Sequence, residues 1–204
     1  MDFIVTGVLG SGKTLYSSVF ALGLALASRM PIYSNIKLNH PLYRPLLSIE
    51  HFASITRAVV LLDEAHRNLD ARLWSQNKVI SDAILYNRKR MKHTIYTTPS
   101  YGNLDKRLRD VAPILVICDR YANTKAIRVS WYDAQRPMAG GALRRIRFQV
   151  LDDPRSAYGL YDTQEEAPIL PLSTEADSSA ASVGPKGRSS RATGYGGKLP
   201  PIPP

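Results

Sequence analysis

The sequence predicts one three-layer α/β domain: helices on both faces of a mainly parallel sheet, strands added at one edge toward the C-terminus, and a flexible tail. Three observations carry this. Apolar runs of strand length alternate with helical segments, the order of βα units. The run Ala58-Val59-Val60-Leu61-Leu62 is apolar at every position, as in a strand covered on both faces. From about Pro168 the composition turns to Pro, Gly, Ser, Thr and Ala, which cannot build a core.

In order along the chain, Phe3-Ile4-Val5 is a short β-type run leading into Gly7-Val8-Leu9-Gly10-Ser11-Gly12, and Lys13 to about Arg29 is a Leu- and Ala-rich helix. Pro31-Ile32-Tyr33-Ser34 predicts a second strand. The stretch Asn35–Pro45 reads as irregular because its prolines oppose regular structure. A short helix is expected around Ile49–Ile55, then the buried strand ending at Asp63-Glu64. Asn77 to Lys92 has helical spacing, with Ile80, Ala83, Ile84 and Asn87 on one side and a basic end at Arg88, Lys89, Arg90 and Lys92. His93–Thr98 is the next strand, Asn103-Leu104-Asp105 starts a helix through Arg109, and Pro113–Asp119 gives another buried strand. Lys125–Tyr132 and Ala142–Leu151 read as edge strands; in the second, Arg145, Arg147 and Gln149 alternate with Ile146, Phe148 and Val150. The domain is expected over 1–165 and the Pro/Gly/Ser-rich tail over 166–204. That tail is either a solubilising coil or an extended docking peptide.

A chain of 204 residues with 44% hydrophobic residues supports one core and no second enzyme domain. The one cysteine, Cys118, excludes an intramolecular disulfide framework and reads as a small buried hydrophobe. No basic leader follows Met1, and the longest apolar stretch, roughly Val19–Ala27, falls short of the ~20 residues of a spanning helix, so a soluble protein is expected. The net charge of +10 and pI near 9.8 favour a polyanionic partner, nucleic acid or an acidic membrane surface.

Gly7-Val8-Leu9-Gly10-Ser11-Gly12-Lys13-Thr14 satisfies G-x-x-x-x-G-K-[ST] between a strand and a helix, the context its mechanism needs. Glycines let successive backbone N–H groups turn toward phosphate oxygens, and the helix N-terminus adds partial positive charge. Gly7, Gly10, Ser11, Gly12, Lys13 and Thr14 are therefore expected to cradle ATP, Lys13 neutralising the β and γ phosphates and Thr14 offering its hydroxyl to Mg²⁺. Asp63 at the end of the buried strand is the metal-side carboxylate. Glu64 is placed to take a proton from the water that attacks the γ-phosphate. Thr97 and Thr98 are candidates to sense the γ-phosphate, although threonines are also good strand formers. Arg88 or Arg90 could act as an arginine finger on a neighbouring subunit's nucleotide, the alternative being a solvated helix C-terminus. Lys106, Arg107, Arg109, Arg144, Arg145 and Arg147 are the candidates for tracking a phosphate backbone. His66, without a second metal-type ligand at useful spacing, reads as a supporting residue. Together these define a P-loop NTPase of the RecA/ASCE-like kind, an Mg-dependent ATPase.

With these residues on the page, Ile4-Val5-Thr6-Gly7 with its glycine loop, Pro31-Ile32-Tyr33-Ser34-Asn35-Ile36 and Leu61-Leu62-Asp63-Glu64-Ala65-His66-Arg67 resemble the zonula-occludens-toxin-like (Zot-like) ATPases of filamentous phages. Arg88–Lys92 followed by Thr94–Pro99 and Leu104-Asp105-Lys106-Arg107-Leu108-Arg109 are similar to later stretches of that family. Two departures stand out: Thr98 occupies the place where the family commonly has glutamine, and the chain ends in a Pro/Gly tail where Zot-like assembly proteins usually continue into an anchor. The resemblance places the chain among FtsK/HerA-type translocases, which include viral genome-packaging ATPases. It implies a ring, expected as a hexamer, acting on double-stranded DNA in the host cytoplasm or the virion, with a capsid or membrane protein met through the tail. Packaging of a viral genome is the leading expectation; a Zot-like morphogenesis or virion-extrusion ATPase is the alternative. A small-molecule P-loop kinase is a third, disfavoured by Glu64 beside Asp63 and by the lack of an arginine-bearing lid.

Overall fold

The computed structural model describes residues 1–69, 78–120, 125–136, 138, 141–162 and 167–171, over 78–81 in backbone only. Its strands are β1 (Asp2–Thr6), β2 (Ile32–Ser34), β3 (Tyr43–Pro45), β4 (Val59–Leu62), β5 (His93–Thr98), β6 (Ile114–Arg120), β7 (Ile127–Asp133) and β8 (Arg144–Leu151). Its helices are α1 (Lys13–Ser28), α2 (Ile49–Ser54), α3 (Ala65–Asn68), α4 (Lys78–Leu85) and α5 (Lys106–Val111), with 3-10 turns at Tyr101–Asn103 and Pro154–Leu160. The strands form one sheet in the order β3-β2-β4-β5-β1-β6-β7-β8, parallel from β3 to β6 and antiparallel across β6, β7 and β8. This is the predicted three-layer architecture. β5 stands between the glycine-loop strand β1 and the acid-bearing strand β4.

Strand parity divides the core in two. Phe3, Val5, Leu61, Ile95 and Val116 face α1, which meets them with Leu15, Ala21 and Ala25. Ile4, Val60, Leu62, Tyr96 and Leu115 face the other way, onto Phe52 of α2, Ala83 and Ile84 of α4, and Leu108 of α5. Small residues bring α1 close to the sheet, since Ala21 and Ala25 are wholly buried. An aromatic cluster fixes its rotation: Phe20 stands edge-on to Phe3 and to Trp131, with centroids 5.0 and 5.1 Å apart. Arg29 ends the helix in the left-handed region, its N–H donating to Ala25 O, and Pro31 prevents continuation.

Three expectations are corrected. The stretch expected to be irregular contains β3, whose Pro45 is tolerated because β3 is the sheet's outer strand. The helix expected to run to Lys92 ends at Leu85 and gives way to turns, because Asn87 is drawn into the core, where its Nδ2 donates to Asp2 Oδ1 at 2.6 Å and to Tyr96 Oη at 3.1 Å. Asn103 belongs to a 3-10 turn, and α5 starts at Lys106 behind Asp105, whose carboxylate accepts from Arg107 N–H at 2.7 Å. On β8, Arg147 and Gln149 face the α1 side, Arg147 over the Trp131 ring and Gln149 donating to Tyr16 Oη at 3.0 Å, while a bulge opposite Trp131 and Tyr132 turns Arg145 to the other face beside Phe148; Ile146, Phe148 and Val150 stay exposed.

The expected start of the fourth helix at Asn77 and the tail beyond 171 lie outside the described residues. Packing nonetheless continues past 165: Leu170 is buried, its N–H donating to Asn68 Oδ1 at 2.6 Å, and Pro171 O accepts from Ile49 N–H at 3.2 Å. Among the described residues no helix is long and apolar enough to cross a membrane.

Candidate nucleotide-binding site

The glycine loop leaves β1 at the C-terminal edge of the sheet and runs directly into α1. Its conformation excludes side chains at two points. A Cβ on Gly7 would lie 2.2 Å from Cys118 O, and one on Gly12, where φ is +85°, would lie 2.4 Å from Ile127 Cδ1. The loop therefore nests against β6 and β7. Val8 O accepts from Ser11 N–H at 3.1 Å and from Lys13 Nζ at 3.3 Å, so the lysine folds back over the loop. Ser11 Oγ is buried without a partner within the cradle, a polar atom suited to meeting a phosphate oxygen.

Asp63 meets the loop from β4. Thr14 Oγ1 lies 3.0 Å from Asp63 Oδ1 and 3.3 Å from Oδ2. Thr97, on β5 between them, donates to Asp63 Oδ1 at 2.6 Å and accepts from Glu64 N–H at 3.0 Å. Asn35, just past β2, acts as an extra rung of the ladder: its Nδ2 donates to Asp63 O at 2.9 Å and its Oδ1 accepts from Asp63 N–H at 2.8 Å. Burial pushes the Asp63 carboxyl above the usual carboxylate range, opposed by the hydroxyls of Thr97 and Thr14. A hydroxyl and a carboxylate, both hard oxygen donors, suit Mg²⁺, which takes one or two protein oxygens and completes its shell with phosphates and water. Glu64 carries backbone strain at φ +49°, which turns its side chain into the cleft, with His66 Nδ1 3.4 Å from Oε2.

The structure brings Gly10, Gly12, Lys13, Thr14 and Glu64 to one cleft of about 460 Å³. It does not bring Thr98 there. Val5 pairs with Thr97 and Thr6 with Thr98, so pleat parity sends Thr97 to the α1 face and Thr98 to the other, where Thr98 Oγ1 donates to Ser100 O at 3.0 Å. Arg88 and Arg90 lie at the N-terminal edge of the sheet, Arg88 lining a separate cavity with Met1 and Asp2, and Arg90 O accepting from Arg57 N–H. Cys118 is buried, and that burial pushes its thiol up to about 12, as an inert core residue.

Sequence reasoning missed Asn35 and the far wall of the cleft, Arg120, Lys125, Ile127, Pro154, Tyr158 and Tyr161. An amide just past a strand end is a readable signal for Asn35. The far wall has none, because long-range folding alone brings it to the loop.

A glycine cradle at the start of α1, an acid at the end of β4 and a strand between them define a P-loop ATPase. The pattern of the zonular occludens toxin (Zot) family matches residues 44–167, more than half of the chain, and the chain belongs to that family. The matched segment holds Asp63, Glu64 and Thr97, while the cradle lies ahead of it. No curated protein sequence matches the chain. Among solved structures the chain is similar to the N-terminal domain of zonular occludens toxin from Neisseria meningitidis, with TM-score 0.50, 17% identity, and coverage of 79% of this chain and 98% of that one. It is also similar to the DNA-packaging ATPase B204 from Sulfolobus turreted icosahedral virus, with TM-score 0.52, 12% identity, and coverage of 72% and 96%. The genome-packaging NTPase B204 from Sulfolobus turreted icosahedral virus 2, in complex with ATP-gammaS, gives TM-score 0.53, 12% identity, and the same coverage of 72% and 96%. At these identities the likenesses establish the fold.

Proposed function

We propose that the chain is a ring-forming, Mg-dependent ATPase that moves duplex DNA, in the manner of a viral genome-packaging motor. The observation that carries it is the pairing of a cleft lined by Lys13, Thr14 and Glu64 with an edge strand whose Arg144, Arg145 and Arg147 are all exposed, on a chain of net charge +10. The genome-packaging role of the viral relatives supports the same reading.

Thr14 and Asp63 would hold Mg²⁺, whose chemistry when bound is to neutralise charge on the β and γ phosphates. Lys13 withdraws from Val8 O to the phosphates. Water enters beside Glu64, its oxygen attacks the γ-phosphorus, the bond to the bridging β–γ oxygen breaks, and the water proton passes to the Glu64 carboxylate. His66 stands beside that carboxylate to orient it. Thr97 links the two acids and is the better candidate than Thr98 for reporting the γ-phosphate. Arg88 and Arg90, at the opposite edge of the sheet from their own cradle, can serve only a neighbour's nucleotide. Membership of the Zot family keeps one second reading, a morphogenesis ATPase acting on virion proteins.

ATP hydrolysis measured with and without duplex DNA separates them. The expected outcome is stimulation by DNA that disappears in Glu64→Gln while ATP binding persists. Replacing Arg144, Arg145 and Arg147 together by Ala should lower the salt slope of DNA binding by about 2 to 3. Hydrolysis indifferent to every nucleic acid would overturn the motor and leave the second reading.

A further inference from the structure

The outer wall of the cleft comes from far along the chain. Behind β8, Asp153 caps a 3-10 turn over Pro154–Leu160, its carboxylate accepting from Arg155 N–H at 3.1 Å, and the turn packs against α1. The far end is tied to the loop after β2: Asn39 N–H donates to Leu160 O at 2.7 Å and Asn39 Nδ2 to Gly159 O at 2.9 Å. With both ends fixed and Ala157 and Tyr161 set into the α1-side core, the segment is a strap along the mouth of the cleft.

The two tyrosines that line the cleft stand in different surroundings. Tyr161 is half-buried, and its phenol is pushed up to about 12 by burial and by the nearby Asp63 carboxylate, so it belongs to the acid end. Tyr158 is 42% exposed and shares the cleft with Pro154, Ile127, Arg120 and Lys125. Sheet order gives the direction of a bound triphosphate. Thr14 and Asp63 fix its terminal phosphate on the β4 side of β1, so the nucleoside leaves on the opposite side, toward β6 and β7, which carry Arg120 and Ile127.

We propose that the strap is the nucleobase-binding wall of the site: Tyr158 stacks on the base of the nucleoside triphosphate whose phosphates occupy Gly7–Thr14, with Ile127 and Pro154 as apolar floor. Arg120 and Lys125 stand at the rim, where they meet the phosphate nearest the ribose. A ring exposed in a phosphate-binding cleft is open apolar surface, and a flat base covers it without any change of fold. The inference rests on the cradle assignment and is independent of what the hydrolysis drives.

The test compares equilibrium binding of ATP and of inorganic tripolyphosphate, each with Mg²⁺, to the full chain. Wild type should bind ATP more tightly. Tyr158→Ala should weaken ATP by about 10-fold or more, leave tripolyphosphate unchanged, and be rescued by Tyr158→Phe, because stacking needs only the ring. Equal losses for both ligands, or an unchanged ATP affinity, would overturn the strap as a base site. Wild type that binds the two ligands equally overturns the strap alone; wild type that binds neither overturns the cradle and the strap with it.

Discussion

Thr97 holds Asp63 by donating to its carboxylate and Glu64 by accepting from its backbone N–H. A hydrogen bond to a charged group is worth about 1.5–3 kcal/mol, and the partners left behind here sit in the buried centre of the site. Thr97→Val keeps the shape and removes the hydroxyl. The expected outcome is a kcat for ATP hydrolysis lower by roughly 10- to 100-fold with KM for ATP nearly unchanged, since the cradle itself is untouched. Thr97→Ser should restore most of the rate; steady-state kinetics on the three proteins decides, and a Val variant at full rate would remove Thr97 from the mechanism. Thr97 also marks where sequence reading stops. Both hydroxyls of Thr97-Thr98 look alike in one dimension, and only the register opposite Val5 and Thr6 tells which one reaches the α1 face.

At the scale of elements, the loop and α1 are held down by a strand more than a hundred residues further on. Ile127 of β7 occupies the space a Gly12 side chain would need. Gly12→Ala combines a left-handed alanine with overpacking, each costing about 1–2 kcal/mol or more, so ATP affinity should fall at least roughly 30-fold. Adding Ile127→Ala should recover the collision part and leave the backbone part, which titration calorimetry on the two variants would separate with tripolyphosphate as ligand, since it has no base to rest on Ile127. A double variant no better than Gly12→Ala would show that β7 is not what confines the loop. The glycine loop, the helix behind it and the all-apolar β4 are legible because their signals are local: spacing, composition and an acid at a strand end. β3 escapes notice because Pro45 opposes a strand everywhere except at an outer edge. The strap and the Arg120–Ile127 side carry no local mark of function, so the cleft's phosphate half is readable and its outer half is not.

For the molecule as a whole, the sheet separates its two edges by role. The C-terminal edge carries the proposed nucleotide site, and the N-terminal edge carries a buried polar knot in which Lys92 Nζ donates to Phe52 O at 2.8 Å and lies 4.0 Å from the centre of its ring. Burial, with Arg90 nearby, lowers the Lys92 pKa from 10.5 to about 8. A base whose folded pKa is depressed binds fewer protons than in the unfolded chain, so its cost is fully present below pH 8 and is relieved as pH rises from 8 toward 10.5. Against Lys92→Met as a neutral reference, the stability of wild type should therefore gain about 2 kcal/mol between pH 7 and pH 9.5, measured by denaturant unfolding. A gap that stays constant across that range would mean the ammonium is not strained by its surroundings. The central place of β1 has a consequence for synthesis. β1 pairs with Thr94–Thr98 on one side and Ile114–Ile117 on the other, so during synthesis it has no neighbour until β5 has been made. The phosphate cradle attached to it is thus made well before it acquires its working shape, and a nascent chain that stops short of β6 carries the motif without the site.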